Sequence, residues 1–156
     1  VHDRLTPVAS PWLLKSGPSI QRPQDLAPYT LIETAYAHRS QHMAWLTWAR
    51  WLAAQNLPHF EPKRRLYFNY AHQIAQAALT GQGIALARMP LVADSLANGS
   101  LVEILPETRI ESPLAYWLIV APRSEQRTEV QAFCQWLHQQ VQMTREALEA
   151  KRPPDS

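Results

Sequence analysis

The sequence holds one cysteine, Cys134, and only four glycines, at positions 17, 81, 83 and 99. A single thiol cannot build an intramolecular disulfide framework and agrees with a reducing compartment, so the cytoplasm is the expected location. Four scattered glycines supply neither a nucleophile elbow of Gly-x-Ser-x-Gly nor a phosphate cradle of Gly-x-x-x-x-Gly-Lys-Ser/Thr. Gly81-Gln82-Gly83 follows a helical pattern and precedes a strand pattern, the reverse of the order a dinucleotide fingerprint requires, and so reads as helix termination. His38 and His42 stand i, i+4, but no Cys-x-x-Cys, His-Glu-x-x-His or nearby carboxylate cluster completes a metal shell around them. The expectation is a protein without metal or cofactor, and not an enzyme.

Long apolar runs and a basic stripe are missing too. The longest stretch free of Asp, Glu, Lys and Arg, Leu66 to Ala87, is interrupted by Asn69, His72, Thr80 and several Gln, too polar for the roughly 18 apolar residues of a membrane span. No membrane partner is expected. Fifteen basic residues against thirteen acidic ones leave a net charge of +2, and Lys63-Arg64-Arg65 is the longest basic run, so direct DNA contact by this chain is not expected. The sequence begins at Val1 without Met and without a cationic lead into an apolar segment, which suggests a fragment of a longer chain.

What is present is an ordinary folded composition, 46% hydrophobic and 18% charged over 156 residues. Thirteen prolines fall mainly between periodic segments and mark the joints. Leu5 to Ser10 is expected to be extended, with an irregular stretch after Pro11 and a strand from Tyr29 to Thr34. Ser40, as N-cap, opens a helix reaching Gln55, with Met43, Trp45, Leu46, Trp48 and Leu52 on its apolar side. These tryptophans read as core, with Trp51 nearer the flank and partly exposed. Arg65 to Tyr70 predicts a buried strand, His72 to Thr80 a helix capped by Gly81 in the left-handed region, and Ile84 to Ala87 a strand. Pro90 starts a helix ended by Asn98-Gly99, and Leu101 to Leu105 is extended. Leu114 to Ala121 predicts a continuous buried strand, and Thr128 to about Ala150 a helix with Val130, Phe133, Cys134, Leu137 and Val141 on one face; Cys134 reads as core. Lys151 to Ser156 is a frayed tail. Strands alternating with helices predict parallel pairing with helices on both faces.

In such a sheet, ligands bind beyond the carboxyl ends of strands, where chain turns lead into helices whose first N–H groups lack partners. Two turns qualify: one after Leu31-Ile32-Glu33-Thr34, the other along Phe68-Asn69-Tyr70-Ala71-His72. Both would suit an acidic small molecule. The same groups could equally cap their own helices.

The order of several segments resembles a known family. These are Pro7 to Pro11, Asp25-Leu26 before Tyr29 to Ile32, the Trp45 to Leu52 helix, and the helix-Gly-x-Gly-strand unit Gln76 to Ala87. Leu91-Val92 with Leu96 to Val102, Tyr116 to Val120, and Phe133 with Trp136-Leu137 complete the set. Together they resemble the effector-binding (substrate-binding) domain of bacterial LysR-type transcriptional regulators, most of all the branch of the glycine-cleavage and β-lactamase regulators. The resemblance implies an α/β fold, periplasmic-binding-protein-like (type 2), with one complete subdomain plus part of a second. Residues 1–24 would be a remnant of the first subdomain and the first crossover, and 25–113 the second effector-binding subdomain. Residues 114–150 would be the return crossover and the C-terminal helix packing on the first subdomain, and 151–156 a disordered tail. The resemblance also implies an effector cleft with Glu33, Thr34, Tyr70, Ala71, His72 and Tyr116 facing it, where Tyr116 offers a phenol or merely packs. The partners implied are a small-molecule effector, anionic or amino-acid-like, DNA only through an N-terminal domain absent from this sequence, and a second copy in a homo-oligomer. A solute-binding protein or small-molecule enzyme of the same two-lobed fold is the alternative, and a plain interaction module a further one.

Overall fold

The computed structural model describes residues 2–35 and 44–149. The Ser40 cap, the His38/His42 pair and the tail from Lys151 lie outside the described residues. Among the described residues six strands, β1 (His2–Ala9), β2 (Thr30–Thr34), β3 (Arg64–Phe68), β4 (Ile84–Arg88), β5 (Val102–Glu103) and β6 (Ile110–Ala115), form one sheet of order β3-β2-β4-β1-β5, with β6 also on β1. Among the described residues five α-helices accompany them: α1 (Pro11–Ser16), α2 (Trp48–Ala54), α3 (Ala71–Leu79), α4 (Met89–Ala97) and α5 (Thr128–Glu149).

β2 pairs in parallel with β3 and with β4, whereas β1 runs antiparallel to β4, β5 and β6. The expected all-parallel sheet is therefore mixed. The reason is chain order: β1 comes first yet enters the sheet beside strands that lie much later in the chain, and an isolated extended segment carries no signal of direction. β2 and β4 occupy the middle, and Leu31, Ile32, Ile84 and Ala85 are all fully buried, as an apolar run covered on both faces requires. Alternation along the strands sends Leu31 and Ile84 to one core with Trp48, Trp51 and Leu52, and Ile32 and Ala85 to another with Ile74, Ala78, Val92 and Leu96.

Several expectations change. Six residues after Ser10 form α1 rather than an irregular stretch, because Ser10 Oγ accepts from Leu13 N and Pro11 supplies a preset first φ. Of the helix expected up to Gln55, the described part is regular only over α2, preceded by a 3-10 turn at Ala44–Leu46, and Thr47 caps it by accepting from Arg50 N. Trp51, expected at the flank, is fully buried; its indole N–H donates to Thr108 O (2.9 Å) and its ring meets Trp48 edge-on at 5.3 Å. Trp45 is the exposed one, beneath the Arg50 guanidinium. β3 ends at Phe68 and is half-buried, since as an edge strand it pairs only with β2. The buried strand expected over Leu114–Ala121 stops at Ala115, because β1 offers no partner beyond its own first residues. The apolar run that follows lies open, with Trp117 83% and Ile119 88% exposed. α5 packs against α4, yet Phe133 and Trp136 on it are exposed and Cys134 is only half-buried.

Gly81 ends α3 in the left-handed region at φ +75°, and a Cβ there would stand 2.7 Å from the Trp12 ring. Gly99 shares that backbone (φ +77°) with nothing near it. Gly99→Ala should cost only the backbone term, about 1–2 kcal/mol, whereas Gly81→Ala should cost more in the same thermal-denaturation experiment because Trp12 must also move.

Candidate functional site

The parallel strands β2, β3 and β4 all end at one edge of the sheet, and the start of antiparallel β1 lies at that edge too, with Leu5 opposite Arg88. From β2 the chain goes to β3 on one side. From β4 it goes through α4 toward β5 on the other, so the connections diverge between β2 and β4. Such a switch point leaves a crevice beyond the strand ends. Here it is a cleft of about 90 Å³ whose polar lining is Thr34, Asn69 and Arg88 and whose walls include Leu5, Ile74, Leu86, Leu91 and Val92. The first turn of α3 closes one side, with Ala71 in the lining.

The six expected residues divide. Thr34 and Ala71 line this cleft. Glu33, one residue earlier on β2, is 2% exposed: its Oε2 accepts from the backbone N–H of Trp48 (2.9 Å) at the start of α2, and its Oε1 faces Arg65 Nη1 at 3.5 Å. Alternation along the strand separates it from Thr34. Tyr70, 59% exposed, stacks on His72 with ring centroids 5.6 Å apart, and neither side chain lines the cleft. Tyr116 is 44% exposed and reaches the site through Arg88, whose guanidinium carbon lies 5.0 Å from its ring centre. Burial pushes the Tyr116 phenol above its usual range, so it is a neutral donor at physiological pH.

Sequence reasoning missed Arg88, Asn69 and Asp3. Arg88 is the last residue of β4 and leads into α4 at Met89-Pro90. The strand-to-helix rule applied to β2 and β3 finds it too once β4 is extended past Ala87. Asn69 lies within the second turn considered. Asp3 could be found only from the antiparallel pairing of β1. Its Oδ2 accepts from Arg88 Nε, and burial raises its carboxyl above the ordinary 3.8 although Arg88 pulls the other way.

A wider groove of about 330 Å³ runs between α4 and β5, lined by Met89, Leu101, Glu103 and Arg109 among others. Its charges are spent on each other: Arg109 Nη2 donates to Glu103 Oε2 (2.5 Å), and Thr6 Oγ1 donates to Glu103 Oε1 (2.6 Å). The strand-tip cleft keeps spare polar capacity and is the candidate site. No group of three or more His, Cys, Asp or Glu side chains that could hold a metal occurs among the described residues, and no described helix is long and apolar enough to cross a membrane.

A mixed sheet with a cleft at its switch point defines an α/β binding domain, and the likeness to solved effector domains of LysR regulators places it in the periplasmic-binding-protein-like class. The family model described as LysR substrate binding domain matches residues 1–142, and the chain belongs to that family. It is 30% identical over 133 residues to the glycine cleavage system transcriptional activator of Escherichia coli, covering 85% of this chain and 41% of that protein. It is 32% identical over 142 residues to the HTH-type transcriptional regulator TrpI of Pseudomonas aeruginosa, covering 89% of this chain and 44% of the relative. The solved effector domain of the transcriptional regulator AmpR of Pseudomonas aeruginosa is similar at 26% identity and TM-score 0.63, over 96% of this chain and 65% of that one. The chain thus spans about two fifths of the length of the curated relatives it matches.

Proposed function

We propose that this chain is the ligand-sensing part of a bacterial LysR-type transcriptional regulator, with the strand-tip cleft as its half of the effector site. The observation that carries the reading is a cleft with Thr34, Asn69 and Arg88 at the switch point of a LysR substrate-binding domain. The effector is a small organic anion or an amino-acid-like molecule, for which one guanidinium, a hydroxyl and an amide on apolar walls are suited. Tyr116 meets it through its position beside Arg88, and Tyr70 and His72 form the rim.

Control is by population shift rather than by catalysis: the effector binds one domain arrangement better than another, since equal affinity would change nothing. Residues 25–113 form the body of the second subdomain; β1 crosses into its sheet and α5 packs against its α4, while the open sides of 1–24 and 114–150 face a first subdomain. The open Trp117 and Ile119 and the exposed Phe133 and Trp136 of α5 support that division, because apolar patches of this kind mark a missing partner surface. DNA recognition is assigned to an N-terminal domain outside this sequence, assembly to a homo-oligomer, and location to the cytoplasm without membrane contact.

The test is a thermal-shift screen of small organic acids, amino acids and cell-wall fragments, followed by affinity measurement on variants. Thr34→Ala and Tyr116→Phe should each weaken a hit by about tenfold, one to two lost hydrogen bonds, while leaving the melting temperature nearly unchanged. Wild-type affinity in both variants would reject this placement of the pocket.

A further inference from the structure

Arg88 is the one basic side chain among the described residues lining the strand-tip cleft, and it arrives there already holding a counter-ion. Its Nε donates to Oδ2 of Asp3 on the neighbouring antiparallel strand. Asp3 is fully buried; the backbone N–H of Arg4 faces its carboxyl, but its other oxygen, Oδ1, closes no hydrogen bond with a described residue. The pair is thus unbalanced on both sides. A desolvated carboxylate is half-satisfied, which is costly. The guanidinium, covered on one side by the Tyr116 ring, keeps terminal N–H groups for which no described residue supplies an acceptor. Arg88 stands at a cleft whose other walls are mostly apolar, Leu5, Ile74, Leu86, Leu91 and Val92. An arginine fork presented in this way matches a carboxylate with two oxygens better than it matches one oxygen of Asp3.

Resting on the reading of the strand tips as an effector cleft, we propose that Arg88 takes the carboxylate of a small organic acid with a short apolar body. Asp3 is the internal carboxylate that this acid displaces. One carboxylate leaves the guanidinium and another arrives; Asp3, still buried, then takes one proton from solvent, so charge is conserved in the cleft. The liganded state binds more protons than the free state, and effector affinity rises as pH falls from neutral toward the raised Asp3 range. The groups facing Asp3 are Arg88 from β4, with Tyr116 beyond it, and the backbone N–H of Arg4 on its own strand. The Arg4 side chain is engaged by Glu111 of β6 (2.6 Å) and does not replace Arg88 as a counter-ion.

The probe is isobutyrate, with isobutyramide as its uncharged counterpart, titrated into the full chain while backbone amide and arginine Nε–H signals are followed by NMR. Isobutyrate should move the signals of Thr34, Asn69 and Arg88, including the Arg88 Nε–H, and bind about tenfold more tightly than the amide. Arg88→Gln should abolish that preference. Asp3→Asn should tighten isobutyrate binding severalfold and flatten its pH dependence below neutral, at pH values where isobutyrate itself stays ionised. The carboxyl ¹³C signal of Asp3 in the wild type, moving toward its protonated position as isobutyrate is added, reads the same exchange if the Asp3 variant fails to fold. Equal binding of acid and amide, or undiminished preference in Arg88→Gln, would overturn the role of Arg88 while shifts at Thr34 and Asn69 still uphold the cleft. An Asp3 carboxyl signal that stays in place, or weaker binding by a folded Asp3→Asn, would overturn the exchange. Silence at Thr34 and Asn69 with both probes removes the cleft reading itself, and this proposal with it.

Discussion

Trp48→Ala is expected to lower the unfolding free energy by about 3–5 kcal/mol, the usual cost of truncating a fully buried aromatic residue. Trp48 is completely buried and packs edge-on with Trp51, and its indole N–H donates to Ile32 O at 3.0 Å, tying α2 to the centre of β2. Truncation opens a cavity under the sheet and also strands the Ile32 carbonyl in it. Trp48→Phe keeps most of the volume and isolates the lost hydrogen bond, with an expected cost of about 1–3 kcal/mol. Chemical denaturation of both variants checks the pair; equal losses would mean that packing carries nothing beyond the hydrogen bond.

Glu33→Ala should destabilise the fold by about 2–3 kcal/mol, because the Trp48 backbone N–H and the Arg65 guanidinium both lose a buried carboxylate partner. The contrast with the next residue is the informative part. Glu33 and Thr34 are neighbours on one strand, both buried and both expected from the sequence to meet the effector. The structure gives Glu33 to the start of α2 and Thr34 to the cleft. A Glu33 variant should therefore lose melting temperature, and a Thr34 variant should lose ligand affinity instead. If Glu33→Ala melted like the wild type while binding weakly, the two assignments would have to be exchanged.

Much of the fold was legible because its signals are local. Apolar runs placed β2 and β4, Pro90 with Asn98-Gly99 bounded α4, and Gly81 marked the end of α3 through a backbone conformation that other residues adopt only at a cost. What escaped was set by pairing. The antiparallel direction of β1 depends on strands more than seventy residues away, as in the Leu5–Arg88 register. The edge position of β3 left its aromatic run half-buried, and the run from Tyr116 to Ala121 looked like core although Tyr116, Trp117, Leu118 and Ile119 are exposed. The site followed the same division. Thr34 and Ala71 follow from the rule about strand ends. Arg88 needed the true end of β4, Asp3 needed the sheet order, and the departure of Glu33 needed the side-chain alternation to be anchored against α2.

Soaking the strongest thermal-shift hit into crystals of this chain tests the central claim most directly, since it locates the ligand without substitutions. The account predicts density at the strand tips, with an acidic group at Arg88 and polar contacts to Thr34 and Asn69. Density seated instead in the groove between α4 and β5, beside Met89 and Leu101, with the strand tips empty, would contradict it.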